Sequence, residues 1–203
     1  MNRSDVPPPG GEKFVTFSSA PTVPSIAEIR MVPSLAQQGG GGLRSWTLLA
    51  VLSASAAALQ IIESPLPRLL PWLKPGLANC LTLYALVRCS AGFGFGIVGF
   101  RTVLSGMALG ILFSPANLLS FAGGLAGAVV MWVALKLGSG RLSVYGISIL
   151  GALANNLAQL LTVQWMFASG FPLWFHLSVM LWVSIPSGIM VGHISRELLR
   201  RTA

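Results

Sequence analysis

From Trp46 onward the chain consists of long apolar stretches, separated by short segments rich in proline, glycine or serine. A helix needs about 20 apolar residues to cross the hydrocarbon core of a bilayer, and each stretch is close to that length. We therefore predict an all-α, polytopic membrane helix bundle with about six transmembrane helices; five or seven spans are the alternatives. The predicted spans are 45–63, 76–92, 95–113, 117–137, 143–168 and 174–195.

The composition supports this fold class. Charged residues make up 9% of the chain, against about 25% in ordinary soluble proteins, and the mean hydropathy is +0.75. Too few charges are present to coat a water-soluble globule. The net charge of +8 raises the possibility of a nucleic-acid partner. Nucleic-acid binding needs basic residues clustered on one face, whereas here they are scattered between apolar runs, so we predict no nucleic-acid partner.

The basic residues predict the orientation of the bundle. Cytoplasmic loops of membrane proteins carry an excess of Lys and Arg. If the N-terminus is cytoplasmic, two bases, Arg68 and Lys74, lie on the outer side of the membrane. We therefore predict that both termini are cytoplasmic. We predict a multi-pass protein of a bacterial inner membrane. The bases on the predicted cytoplasmic side are Arg44, Arg88, Lys136, Arg141, Arg196, Arg200 and Arg201.

The first 42 residues differ from the rest. Residues 1–42 are rich in Pro, Gly and Ser and lack the apolar area that offsets ordering entropy, so we predict a flexible cytoplasmic tail followed by a transmembrane domain over 43–203. Met31 is an alternative start position. The run that begins at Arg44 also resembles a secretory signal with an A-x-A site at Ala54 to Ala56, but its apolar character continues through Ile62, which argues against cleavage.

Small residues recur at four-residue spacing in the predicted spans. In lipid, helices associate through small faces that let backbones approach closely, so the glycine pairs predict packing within the bundle. The alanine ladder of the first span, formed by Ala50, Ala54 and Ala58, is an equally good face for a separate membrane partner. The glycine pairs are Gly106/Gly110, Gly123/Gly127 and Gly188/Gly192.

Acidic residues are scarce, which limits the chemistry available. The apolar body of the chain contains one acid, Glu63, and the single Asp of the chain is Asp5 in the tail. The apolar body therefore lacks the carboxylates that acid–base catalysis by a carboxylate pair or a carboxylate-bound metal would require. We predict no catalytic residues, no metal site and no cofactor.

A few polar residues interrupt the spans and are the candidates for function. Such residues are costly in a bilayer and tend to line a cavity or pair with one another. Two readings are open: the amides bond between helices and Arg101 is a cytoplasmic anchor, or the set forms an outward-facing pocket for a small polar or anionic ligand, with Asn156 and Gln159 on one helical face. The predicted substrate-binding residues are Glu63, Lys74, Asn79, Arg101, Asn156 and Gln159.

Several segments in order resemble the membrane family called heptaprenyl diphosphate synthase component I, or Gx transporters. The resemblance covers about 46–195. Its strongest element is the sequence KPGLAN at 74–79, similar to the K-x-GLAN signature of that family. Asn155 stands where the family has a histidine, which argues against proton transfer at that position. The other matching segments are Glu63 before the prolines, Arg101 to Ser114, Ser120 to Gly124, and Ala154 to Gln159.

The resemblance implies two functions. The family is similar in size and span count to the S components of energy-coupling factor transporters, which bind micronutrients and work with a membrane coupling protein and two cytoplasmic ATPases; the alanine ladder would then face the coupling protein. The family label instead implies a role in making heptaprenyl diphosphate for a menaquinone side chain, with a soluble prenyltransferase as partner. Prenyl elongation needs magnesium on aspartate-rich sequences, so the chain would be a non-catalytic component. A membrane scaffold without a ligand is a third alternative.

Overall fold

The computed structural model of the chain describes residues 42–64, 76–138, 142–167 and 173–202. These residues form six helices and no strand, and five of the helices are long and apolar enough to cross a membrane. The all-α membrane bundle is therefore confirmed. The helices are α1 (Gly42–Glu63), α2 (Asn79–Arg88), α3 (Ala91–Ala108), α4 (Pro115–Leu137), α5 (Val144–Phe167) and α6 (Leu173–Arg201).

The second helix is much shorter than the predicted span 76–92. At 1.5 Å per residue, the ten residues of α2 extend about 15 Å, half of a bilayer core. The prediction of a complete span here was wrong. Eight of the ten side chains of α2 are buried, so its apolar character reflects burial in the protein on all sides rather than contact with lipid.

The break between α2 and α3 lies between Arg88 and Ala91, earlier than the break at 93–94 that the predicted spans imply. Ser90 caps α3, because its side-chain oxygen accepts a hydrogen bond from the backbone N–H of Phe93, an arrangement typical of a helix start. At its other end α3 stops at Ala108, and Gly110 adopts a positive φ of 66° that glycine tolerates best. Gly110 therefore lies beyond the end of α3 and has no close neighbour, whereas Gly106 lies against the side chain of Asn117 of α4.

Contacts between the helices fix their directions. Gly96 of α3 lies beside Leu49 of α1, and the amide of Gln60 donates to the Ser105 hydroxyl at 2.8 Å, so α1 and α3 run parallel. The helices that follow each other from α3 to α6, namely α3 and α4, α4 and α5, and α5 and α6, run antiparallel. The guanidinium of Arg88 donates to the backbone carbonyl of Thr202. The start of α1 and the end of α6 therefore lie at the same end of the bundle.

That shared end carries most of the described basic residues. The bases at this end are Arg44, Arg88, Lys136, Arg196, Arg200 and Arg201, which lie close to the ends of their helices, while Arg101 lies in the interior. The other three predicted topological markers, Arg68, Lys74 and Arg141, lie outside the described residues. We call this the basic end; its cytoplasmic location stays a prediction, based on the preference of Lys and Arg for that side of the membrane.

Glycine contacts tie α4, α5 and α6 together. A Cβ on Gly127 would lie 3.1 Å from the carbonyl oxygen of Gly151, and one on Gly188 would lie 2.6 Å from the Cα of Ile149. Gly192 lies against Tyr145 in the same way. Both glycines of the Gly188/Gly192 pair make the close backbone approach that was predicted for them. In the Gly123/Gly127 pair, Gly127 makes such an approach.

Candidate functional site

A pair of polar side chains joins α2 and α3 in the centre of the bundle. The Nη2 atom of Arg101 donates to the Oδ1 atom of Asn79 at 2.7 Å. Their side chains are buried, at 3% and 4% exposure. Asn79 is the first residue of α2 and Arg101 lies ten residues after the start of α3, so both are about 15 Å from the basic end. The anchor interpretation of Arg101 does not apply, because the residue lies at mid-depth.

Arg101 has more donors than the described residues satisfy. Its Nε and Nη1 atoms are buried and have no hydrogen-bond partner within the described residues. Glu63, at the end of α1, is also buried and interacts electrostatically with Arg101. A buried donor without an acceptor costs about 1–3 kcal/mol, and more when it is charged. The guanidinium of Arg101 is therefore the group of the site with the greatest need for a hydrogen-bond acceptor.

Two adjacent glycines of α4 make space for the polar side chains. A Cβ on Gly124 would lie 2.5 Å from the Nη2 atom of Arg101. A Cβ on Gly123 would lie 2.7 Å from the Oδ1 atom of Asn155 and 2.8 Å from the Nε2 atom of Gln159. A larger residue at 123 or 124 would therefore collide with polar side chains of the neighbouring helices α5 and α3.

Asn155 and Gln159 complete this layer from α5. They are one helical turn apart and both face Gly123, and their exposures are 4% and 2%. Gly76, with a positive φ of 72°, lies next to both Asn79 and Asn155: a Cβ there would approach the two Nδ2 atoms at 3.1 and 3.6 Å. We call Asn79, Arg101, Asn155 and Gln159 the central polar layer.

Asn156 forms a branch of the layer toward α6. Its Nδ2 atom donates to the hydroxyl of Ser184 at 2.7 Å, and its Oδ1 atom accepts from Asn155 at 3.3 Å. Asn156 and Ser184 line a cavity of about 360 Å³ between α5 and α6, and the other residues that line it are apolar. The α5 side chain that joins Gln159 is thus Asn155, while Asn156 faces the neighbouring helix.

Apolar clusters close the bundle between the central polar layer and the basic end. One is built on Leu83, Met131, Ile147 and Leu199, all at most 2% exposed. A second cluster, which includes Ala85, Ile97 and Val191, fills the space between α1, α2, α3 and α6. A ligand in the layer would therefore meet a packed apolar barrier toward the basic end.

Sequence reasoning found part of this arrangement. Of the predicted substrate-binding residues, Asn79, Arg101 and Gln159 belong to the layer, Glu63 interacts with Arg101, and Asn156 lies on the branch; Lys74 lies outside the described residues. Asn155 was noted in the sequence but not assigned to the binding set, and Gly124 and Ser184 were not identified as site residues. A buried polar pair between α1 and α3, Gln60 with Ser105, was also missed, although a glutamine inside an apolar run was a signal available in the sequence.

The predicted partner face is exposed. Ala50, Ala54 and Ala58 lie on the side of α1 that faces away from the bundle, whereas Ala56, Ala57 and Gln60 are buried. Of the five long helices, α1 has the smallest buried share. Within the described residues, no group of three or more potential metal ligands occurs.

Fold and site together define a polytopic α-helical membrane protein with a buried polar layer at mid-depth. The family model of heptaprenyl diphosphate synthase component I matches residues 52–198, most of the chain and all of the central polar layer. The chain belongs to this family, as the motif resemblance predicted. No curated protein and no solved structure matches it.

Proposed function

We propose that this chain is the substrate-binding membrane subunit of a small-molecule transporter, similar in role to the S components of energy-coupling factor transporters. The observation that carries the proposal is the central polar layer, where side chains from three helices meet halfway through the bundle. Ionisable groups at such a depth are costly and mark substrate or ion pathways.

The short helix α2 supports the same function. In many transporters the substrate site lies near the bilayer midplane, at the ends of helices that cross only part of the membrane. Helix α2 begins with Asn79, at the depth of Arg101 and Asn155. The apolar clusters beneath it suit a subunit that receives its ligand from the side opposite to the basic end.

The subunit needs partners in this role, because it lacks the phosphate-binding motif of an ATPase. We propose a membrane coupling protein on the face formed by Ala50, Ala54 and Ala58, together with cytoplasmic ATPases, in a bacterial inner membrane. The exposure of this face and the small buried share of α1 support a helical partner there.

The name of the family favours a second candidate function. The chain would then be a non-catalytic membrane component that associates with a soluble prenyltransferase in heptaprenyl diphosphate synthesis. In both cases we propose that the chain is not itself the catalyst, since its single Asp is residue 5 and prenyl elongation depends on magnesium held by several carboxylates.

Purification of the tagged full chain from bacterial membranes in mild detergent tests these proposals. Mass spectrometry would identify the proteins and the small molecules that co-purify. Recovery of a coupling protein with ATPases and a bound small molecule supports the transporter subunit, and recovery of a prenyltransferase without a small molecule supports the second candidate. Recovery of neither contradicts both and leaves a scaffold.

Two variants make the experiment specific. Ala54→Leu should reduce recovery of the membrane partner without loss of stability, because Ala54 is exposed, and Ala108→Leu, at an exposed alanine of α3, is the matched control. Gln159→Ala should reduce the co-purified small molecule. Equal recovery of the ligand by Gln159→Ala and the unaltered chain would count against the central polar layer as its site.

A further inference from the structure

Arg101 presents several unused donors in the middle of the bundle. A guanidinium carries five N–H groups in a rigid fork. One bond, from Nη2 to Asn79, is formed, while Nε and Nη1 are buried and have no partner within the described residues. The side chain is 3% exposed, so bulk water does not serve these atoms.

The N-terminus of α2 lies at the same place. Asn79 is both the acceptor of the Arg101 bond and the first residue of a ten-residue helix. The backbone N–H groups of Asn79 and Cys80 donate to the carbonyls of Gly76 and Leu77, so the N-terminal end of α2 acts on its surroundings through the partial positive charge of the helix dipole. A cationic fork and a helix N-terminus therefore converge on one point, a combination that favours an anion.

We propose that the central polar layer binds an oxyanion, the carboxylate or phosphate group of a small ligand, between Arg101 and the N-terminus of α2. This inference rests on the proposed function, because it assigns a ligand chemistry to the same layer. The planar fork of Arg101 pairs with two oxygens of the anion at once. The amides of Asn155 and Gln159, which α5 contributes to the layer, hydrogen-bond the remaining polar part of the ligand.

The charges of the site explain why an anion is preferred to a cation. Glu63 interacts electrostatically with Arg101 and balances the guanidinium when no ligand is bound. A cationic group next to Asn79 would meet both the Arg101 charge and the positive end of α2, whereas an oxyanion supplies acceptors to donors that burial has separated from water.

Thermal unfolding of the purified full chain in detergent, followed by tryptophan fluorescence, tests the proposal. The probes are sodium acetate and sodium phosphate, compared with sodium chloride and choline chloride at equal ionic strength. At saturation, acetate or phosphate should raise the Tm by about 3 °C relative to chloride. The preferred probe identifies a carboxylate or a phosphate ligand. Equal Tm values in all four salts would overturn the inference.

Three variants connect such binding to Arg101. In Arg101→Gln the affinity for the stabilising anion should fall about tenfold or more, while Arg200→Gln, at an exposed base of α6, should leave it unchanged. Asn79→Asp is a second site variant that preserves an acceptor for Arg101 and so keeps the fold, but places a negative charge where the anion binds. It should also lose the anion, and retention of full affinity by Asn79→Asp would overturn the assignment even if Arg101→Gln fails to fold.

Failure of this inference can be distinguished from failure of the proposed function. A co-purified small molecule that is neutral or cationic and is lost in Gln159→Ala would preserve the transporter subunit and overturn the oxyanion. Anion binding that depends on Arg101, in a protein recovered with a prenyltransferase, would preserve the oxyanion site and overturn the transporter subunit.

Discussion

Two groups of glycines in the same bundle have different structural roles. Gly188, like Gly127, allows the backbones of neighbouring helices to approach, since its nearest neighbours are main-chain atoms. Gly123 and Gly124 instead make space for the ends of polar side chains, those of Asn155, Gln159 and Arg101. The difference shows that a small residue in a membrane helix can support either the fold or a polar site, and that the identity of the neighbouring atom decides which.

The largest effect is expected for the backbone-contact group. In Gly188→Ala the new Cβ would lie 2.6 Å from the Cα of Ile149, and main-chain atoms of two long helices cannot move aside locally. We expect a loss of stability of about 3 kcal/mol, the upper end for overpacked sites, measured by unfolding in mixed detergent micelles. A loss smaller than that of Gly124→Ala would show that the α5–α6 contact is not rigid.

Gly124→Ala tests the side-chain group. The new Cβ would lie 2.5 Å from the Nη2 atom of Arg101, which is the far end of a flexible side chain and can shift. We therefore expect a modest loss of stability, about 1 kcal/mol, together with displacement of the guanidinium from Asn79. The affinity for the stabilising anion should fall about tenfold. Unchanged affinity in a folded variant would show that the position of Arg101 does not matter for binding.

A double-mutant cycle measures the energy of the hydrogen bond between α5 and α6. Asn156→Ala and Ser184→Ala each remove one partner of the 2.7 Å bond. Hydrogen bonds between helices in membranes average about 0.6 kcal/mol, so we expect a coupling energy of that size. A coupling near zero would mean that the stability of this region derives from the apolar packing around the pair, such as that of Leu160 against Met180.

The smallest effect, with the opposite sign, is expected for a glycine without close neighbours. A Cβ on Gly99, inside α3, would meet no atom within 4 Å. Because alanine is preferred to glycine in helices, Gly99→Ala should stabilise the protein by about 0.5 kcal/mol and leave anion affinity unchanged. A destabilising result would show that a neighbour absent from the isolated chain packs against this face of α3.

The agreement between sequence and structure varies along the chain. The bounds of α1, α4 and α5 and the start of α6 could be predicted closely, because a span is a local property of about 20 apolar residues and the breaks contain strong signals such as Ser114 before Pro115. Helix α6 continues to Arg201, beyond the predicted end at 195. The length of α2 could not be predicted from hydrophobicity, since a helix buried in protein and one exposed to lipid are equally apolar.

The candidate site shows the same division. The sequence by itself determined that this is a membrane helix bundle and identified Asn79, Arg101 and Gln159 as candidate site residues, because a polar residue within an apolar span is visible without any partner. Only the tertiary structure decided that Asn155 joins Gln159 opposite Gly123, that Asn156 bonds Ser184, and that α2 begins at the depth of Arg101. These are contacts between helices far apart in sequence, set by rotation and depth of packing, and no local pattern of residues specifies either.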